Sequence, residues 1–84
     1  MIIDEEWRVT TERIEEFFAS LPDTSRIGAG LYECGLCRVR IEKLENYVLG
    51  SLSFPNTRVR IEGSEEETEA LYKKFFYTFI SAGG

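Results

Sequence analysis

Five residues are written twice in this chain. Arg38-Val39-Arg40-Ile41-Glu42 returns as Arg58-Val59-Arg60-Ile61-Glu62. In each copy apolar and charged side chains alternate with a period of two, which reads as a strand with one face in a core and one in water. Cys37 and Thr57 extend the two runs by one position each. A third alternation lies between them, with Val48, Gly50, Leu52 and Phe54 set against Leu49, Ser51 and Ser53. Glu45-Asn46 and Pro55-Asn56 are turn-prone joints, and connections this short make consecutive strands antiparallel. A simple meander therefore puts the strand at 47–54 between the two copies. Both copies then turn Arg, Arg and Glu to one face and Val and Ile to the other. The residues flanking the copies do not match, so the echo is two similar half-buried strands and not a true repeat. Arg26 to Glu33 offers a fourth strand, weakened by Gly28 and Gly30.

Two helical patterns bracket the strands. Ile14, Phe17, Phe18 and Leu21 fall at i, i+3, i+4 and i+7, with Thr10 or Thr11 as cap and Pro22 beyond the end, so a helix is predicted over about 11–21. Ser64 and Glu67 have capping-box spacing. Leu71, Tyr72, Phe75, Phe76, Phe79 and Ile80 then make one broad stripe, and a helix is predicted over 65–81 with Gly83-Gly84 past its end. The segment from Glu5 to Val9 is ambiguous, since Trp7 and Val9 alternate like a strand while Asp4 could cap a longer helix. The expected fold is α+β: a two-layer sandwich, an antiparallel sheet of three to four strands with both helices on one face.

Composition excludes more functions than it suggests. At 84 residues the chain reads as a single domain, 1–84. Ten basic and fifteen acidic side chains give a net charge of −5, a poor basis for neutralising phosphates, so no nucleic-acid partner is expected. There is no histidine. That removes the commonest general base and transition-metal ligand, and every Ser-His-Asp or Cys-His arrangement. No catalytic pair and no glycine-rich phosphate loop is visible, so the chain is expected not to be an enzyme. No apolar run is long enough to span a bilayer. Asp4, Glu5 and Glu6 stand where a signal peptide carries basic residues. Two cysteines are too few for a disulfide framework, and a soluble, cytoplasmic protein is expected.

Four features could carry function. Cys34-Gly35-Leu36-Cys37 supplies two thiolates, half of a zinc site; with no histidine, only a dimer sharing one all-thiolate zinc completes it. The alternative places Cys37 inward as a small hydrophobe and Cys34 in a turn. The arginine face could hold phosphate or an acidic partner, although Glu42 and Glu62 on the same face could neutralise it. Asp23, with Thr24 and Ser25, offers oxygen donors beside the last carbonyls of the first helix. Asp4, Glu5 and Glu6 could fold back towards them, giving an irregular site for a hard cation such as calcium. Finally, Gly83-Gly84 is the slim tail that ubiquitin-like modifiers and sulfur carriers thread into an adenylating enzyme. Those carriers open with a strand hairpin and end in a strand, an order this chain does not follow.

In size, element order and acidic composition the whole chain resembles a small uncharacterised α+β protein family of methanogenic archaea that is associated with calcium binding. The resemblance implies a two-layer α+β domain with a calcium site of acidic side chains, and it carries no ligand position with it. The expectation is a small acidic, non-enzymatic domain that binds calcium through Asp4, Glu5, Glu6 and Asp23. The rival is a protein–protein interaction module using the arginine face or a sheet edge.

Overall fold

The computed structural model describes residues 1–80. The elements run β1 (Ile2–Trp7), α1 (Thr11–Ser20), β2 (Thr24–Gly28), β3 (Leu31–Cys34), β4 (Cys37–Lys43), β5 (Tyr47–Leu49), β6 (Leu52–Phe54), β7 (Thr57–Glu62) and α2 (Glu65–Phe79). The caps act as the spacing predicts: Thr10 accepts from the Arg13 N–H and Ser64 from the Glu67 N–H. The predicted end of the second helix at Ser81, and Gly83-Gly84, lie outside the described residues.

The sheet differs from the expected meander. It has five strands, not three to four, in the order β1-β7-β4-β3-β2, every neighbour antiparallel. The two copies of the Arg-Val-Arg-Ile-Glu pattern pair directly, with Arg40 opposite Arg60 and Ile41 opposite Val59. The segment expected between them folds on itself instead. Gly50, at φ +63°, turns the chain so that β5 and β6 form a separate two-stranded ribbon. The ambiguous N-terminal segment becomes an edge strand, with Ile2 opposite Glu62 and Trp7 opposite Thr57.

The helix packing also departs from the expected layout over a three-stranded sheet. α1 touches β2, β3 and β4, whereas α2 touches β1 and β7, so each helix serves its own part of a wider sheet. One core joins them: Ile14 and Phe18 of α1, Leu71, Phe75 and Phe79 of α2, and Tyr32, Val39, Ile41, Val59 and Ile61 of the sheet. Phe18 stacks on Phe75 with ring centroids 5.5 Å apart, and Trp7 meets Phe75 edge-on at 4.9 Å. Aromatic pairs of this geometry add to the burial of their large areas. Thr57, fully buried, donates its hydroxyl to the Val9 carbonyl at 2.7 Å, so that buried polar group is satisfied.

Glycine is required at one joint of this core. Gly30 turns β2 into β3 with φ +65°, and its amide region presses against β4: a Cβ there would lie 2.2 Å from the Ile41 carbonyl oxygen. The Ile41 N–H donates to the Gly30 carbonyl at 2.7 Å, which locks the turn to the neighbouring strand.

Candidate functional site

Pairing β4 with β7 sets four guanidinium groups on the outward side of adjacent strands. Arg38, Arg40 and Arg58 are exposed and Arg60 is half-buried, while Val39, Ile41, Val59 and Ile61 between them are buried. The acids of β1 and β3 answer only some of these charges. Arg58 grips Asp4 with two hydrogen bonds, Nε to Oδ1 at 2.9 Å and an Nη to Oδ2 at 2.6 Å, the bidentate geometry of a strong charge-assisted pair. That pair holds the Asp4 carboxyl below its ordinary value of 3.8, chiefly through the hydrogen bonds from Arg58. Arg38 lies 3.9 Å from Glu33.

The pairing along β1 is displaced by one step. Glu6 stands opposite Arg58, and Asp4 opposite Arg60. Yet Glu6 accepts from the Asn56 side-chain amide at 2.9 Å and lies 3.9 Å from Arg8, while Asp4 reaches diagonally to Arg58. Among the described residues neither Arg60 nor Arg40 across from it makes an ion pair, although the charge of Arg60 also helps to hold the Asp4 carboxyl low. The buried Nε of Arg60 has no hydrogen-bond partner among the described residues. Leu31, Arg38, Arg40, Arg60 and Glu62 line a hollow of about 150 Å³ at this place.

The carboxylates expected to hold calcium are not brought together. Asp4, Glu5 and Glu6 lie on β1, one edge of the sheet, and Asp23 immediately precedes β2, the opposite edge. Four strand spacings separate those edges, about 19 Å. The N-terminal acids are also engaged: Glu5 accepts from the Trp7 indole N–H at 3.1 Å and the Tyr72 hydroxyl at 2.8 Å. That carboxylate, together with burial, pushes Tyr72 up to about 12, burial being the larger cause. Among the described residues no three His, Cys, Asp or Glu side chains gather as a metal would need. Asp23 instead shapes a turn, at φ 58°, and its carbonyl accepts from the Gly35 N–H at 2.9 Å.

Cys34 and Cys37 face each other across the β3–β4 turn, both free and both buried. Burial pushes the Cys34 thiol up, which works against the thiolate that zinc requires. Both thiols border a hollow of about 250 Å³ that Leu36, Glu67 and Lys74 help to line, and the Cys37 Sγ lies 4.0 Å from the Thr68 hydroxyl.

The segment at 47–54, expected as one strand inside the sheet, is instead an exposed hairpin. Tyr47, Val48, Leu49, Leu52 and Phe54 of the β5–β6 ribbon are all exposed. Gly50 within the alternation was the available signal, because glycine inside a strand pattern marks a bend or turn. The described residues include no helix long and apolar enough to cross a membrane.

The comparison with curated proteins gives no match. A protein-family model described as archaeal MoaD-like protein matches residues 8–84, which includes α1, the strands β2 to β7, α2 and the glycine pair. With nearly the full length matched, the chain belongs to the archaeal MoaD-like family.

Proposed function

We propose that the chain is a small carrier of the sulfur-carrier type, working through the carboxylate of Gly84 while its folded body docks on an activating enzyme. The observation that supports this is the family match, which runs through Gly83-Gly84. The chemistry asks little of the body. The Gly84 carboxylate attacks the α-phosphorus of ATP, giving an acyl adenylate and releasing pyrophosphate. A sulfide donor then displaces AMP to leave a thiocarboxylate. Two glycines without side chains suit a narrow catalytic channel, and neither step needs a histidine or a metal ligand from this chain.

The support comes from the family and the tail and not from strand order. The chain opens β1-α1, and its last described helix is α2. The docking part of the proposal takes up the interaction-module reading: the exposed ribbon and the outward sheet face are surfaces that a protein partner could cover.

The test uses the purified chain, ATP, sulfide and an archaeal adenylating enzyme active on another carrier. The expected result is ATP-dependent pyrophosphate release and an intact mass raised by the exchange of one oxygen for sulfur. Deleting Gly84 should abolish both. Silence in the presence of an enzyme that modifies its own carrier overturns the reading. Intact mass of the natural protein also reads whether the Gly84 carboxylate is free, which the proposal requires. Thermal melts with calcium and with EDTA complete the test of the carboxylate reading; the expected shift is nil, because Asp23 lies at the far sheet edge from Asp4, Glu5 and Glu6, which already have partners.

A further inference from the structure

We propose that Arg40 and Arg60 form a binding site for a phosphate group on the outward face of the sheet. The two stand directly opposite in the β4–β7 register. Like charges in directly opposed positions destabilise a sheet, and this fold had the means to avoid the cost. Asp4 is opposite Arg60 on the other side, yet its carboxylate is committed to Arg58 by two hydrogen bonds. Glu62 stands opposite Arg38, so that pair is balanced by position. Among the described residues Arg40 and Arg60 are thus the outward arginines with no ion pair of their own, and the one carboxylate in their hollow, Glu62, faces Arg38 in the register.

The hollow supplies the second observation. It has a volume of about 150 Å³ and is walled by Leu31, Arg38, Arg40, Arg60 and Glu62. The Arg60 Nε is buried and lacks a partner among the described residues. A buried charged donor left unpaired is costly, and an acceptor supplied from outside removes that cost. The chemistry of the walls selects the ligand. Two guanidinium forks approaching from separate strands suit a tetrahedral dianion, which brings two negative charges and separate oxygens to the two forks, whereas a single carboxylate brings one charge on two oxygens. No aromatic ring lines the hollow, so the site has no platform for a nucleobase.

The experiment is an NMR titration of the whole chain with inorganic phosphate, ionic strength held constant with chloride. The Arg60 Nε–Hε resonance and the amides of 38–40 and 60–62 should move saturably, and Arg40→Gln or Arg60→Gln should each weaken binding by about tenfold. Methyl phosphate and AMP identify the source. A monoester bound as tightly as the free ion assigns a phosphorylated small molecule; an excluded monoester assigns inorganic phosphate; either upholds the site. Saturation by succinate without saturation by phosphate overturns it, as does a linear phosphate response. Thermal melts guard against misfolded variants. In chloride alone Arg40→Gln should melt no lower than the parent, because it relieves the facing charges, and it should lose the stabilisation that phosphate gives the parent. A variant that melts lower in chloride and keeps the phosphate response shows Arg40 to be structural and overturns the assignment.

Discussion

The five-stranded sheet and the β5–β6 ribbon are made from the same kind of sequence and end in opposite states. Val39 and Val59 are 0% and 2% exposed, whereas Val48 is 65% exposed. All three sit in alternating runs. The difference is the second layer: β4 and β7 lie beneath the helices, while the ribbon pairs only with itself. A two-stranded hairpin has little stability alone, and this one is tied to the body at its base, where the Arg8 guanidinium lies 4.1 Å from the centre of the Tyr47 ring and donates to Asn56. Alternation in a sequence thus reports a strand's pairing habit, and burial is decided by what lies across from it.

Substitutions can break this contrast, the largest effect first. Phe75 is 1% exposed and touches Trp7, Phe17, Phe18, Tyr72 and Phe79. Phe75→Ala should cost about 3–5 kcal/mol by chemical denaturation, enough to unfold a domain this small near ambient temperature. A cost below about 1 kcal/mol would mean that the aromatic core does not hold the two helices together.

Gly30 and Gly50 sharpen the contrast because their backbones are alike, at φ +65° and +63°. Gly30→Ala meets the Ile41 carbonyl oxygen at 2.2 Å, whereas a Cβ on Gly50 has nothing within 4 Å. The expected losses are on the order of 3 kcal/mol in the body, from left-handed strain plus a backbone clash, and about 1 kcal/mol in the ribbon, from strain alone. Equal losses would show that the β2–β3 turn is free to move away from β4. Smaller still, Val48→Ser should change global stability by less than about 0.5 kcal/mol.

The pH dependence contrasts two exposed contacts of β1. Asp4 has a folded-state value lowered by Arg58, so its contribution is present above the unfolded value and is lost as pH falls through the folded one. Asp4→Asn should flatten the acid limb of the melting curve below about pH 4. Tyr72, raised to about 12, contributes fully below its unfolded value of 10.0 and loses that contribution as pH climbs through the folded value. Tyr72→Phe should therefore flatten the alkaline limb and leave the acid limb unchanged. Parallel limbs in parent and variant would show that the Glu5–Tyr72 bond does not bind α2 to β1.

The helices were legible because cap, stripe and stop agree in each. Ser64 and Glu67 name the start of α2, and the stripe Leu71, Phe75 and Phe79 proves to be its buried side. The paired copies were legible as strands but not as neighbours, since nothing local says that 44–56 will leave the sheet. β1 was obscured by Glu5. It occupies an inward-facing register position between Ile3 and Trp7, where an alternation should be apolar, and it is tolerated at an edge where Trp7 and Tyr72 satisfy it. The same gap hid the arginine hollow. Four outward arginines could be read from the sequence, but which of them lack an acid depends on the β1–β7 register and on one diagonal hydrogen-bonded pair.

That register has a consequence for how the molecule is made. Ile2 pairs with Glu62, while β2, β3 and β4 pair with immediate neighbours along the chain. Contacts between distant segments form slowly, because a large loop must close before any gain is felt. During translation β1 emerges well before its partner and has no strand to pair with until Thr57–Glu62 has been made. Closing β1 on β7 is thus the pairing of greatest sequence separation in the sheet, with the largest loop to close, and the edge it covers stays open until then.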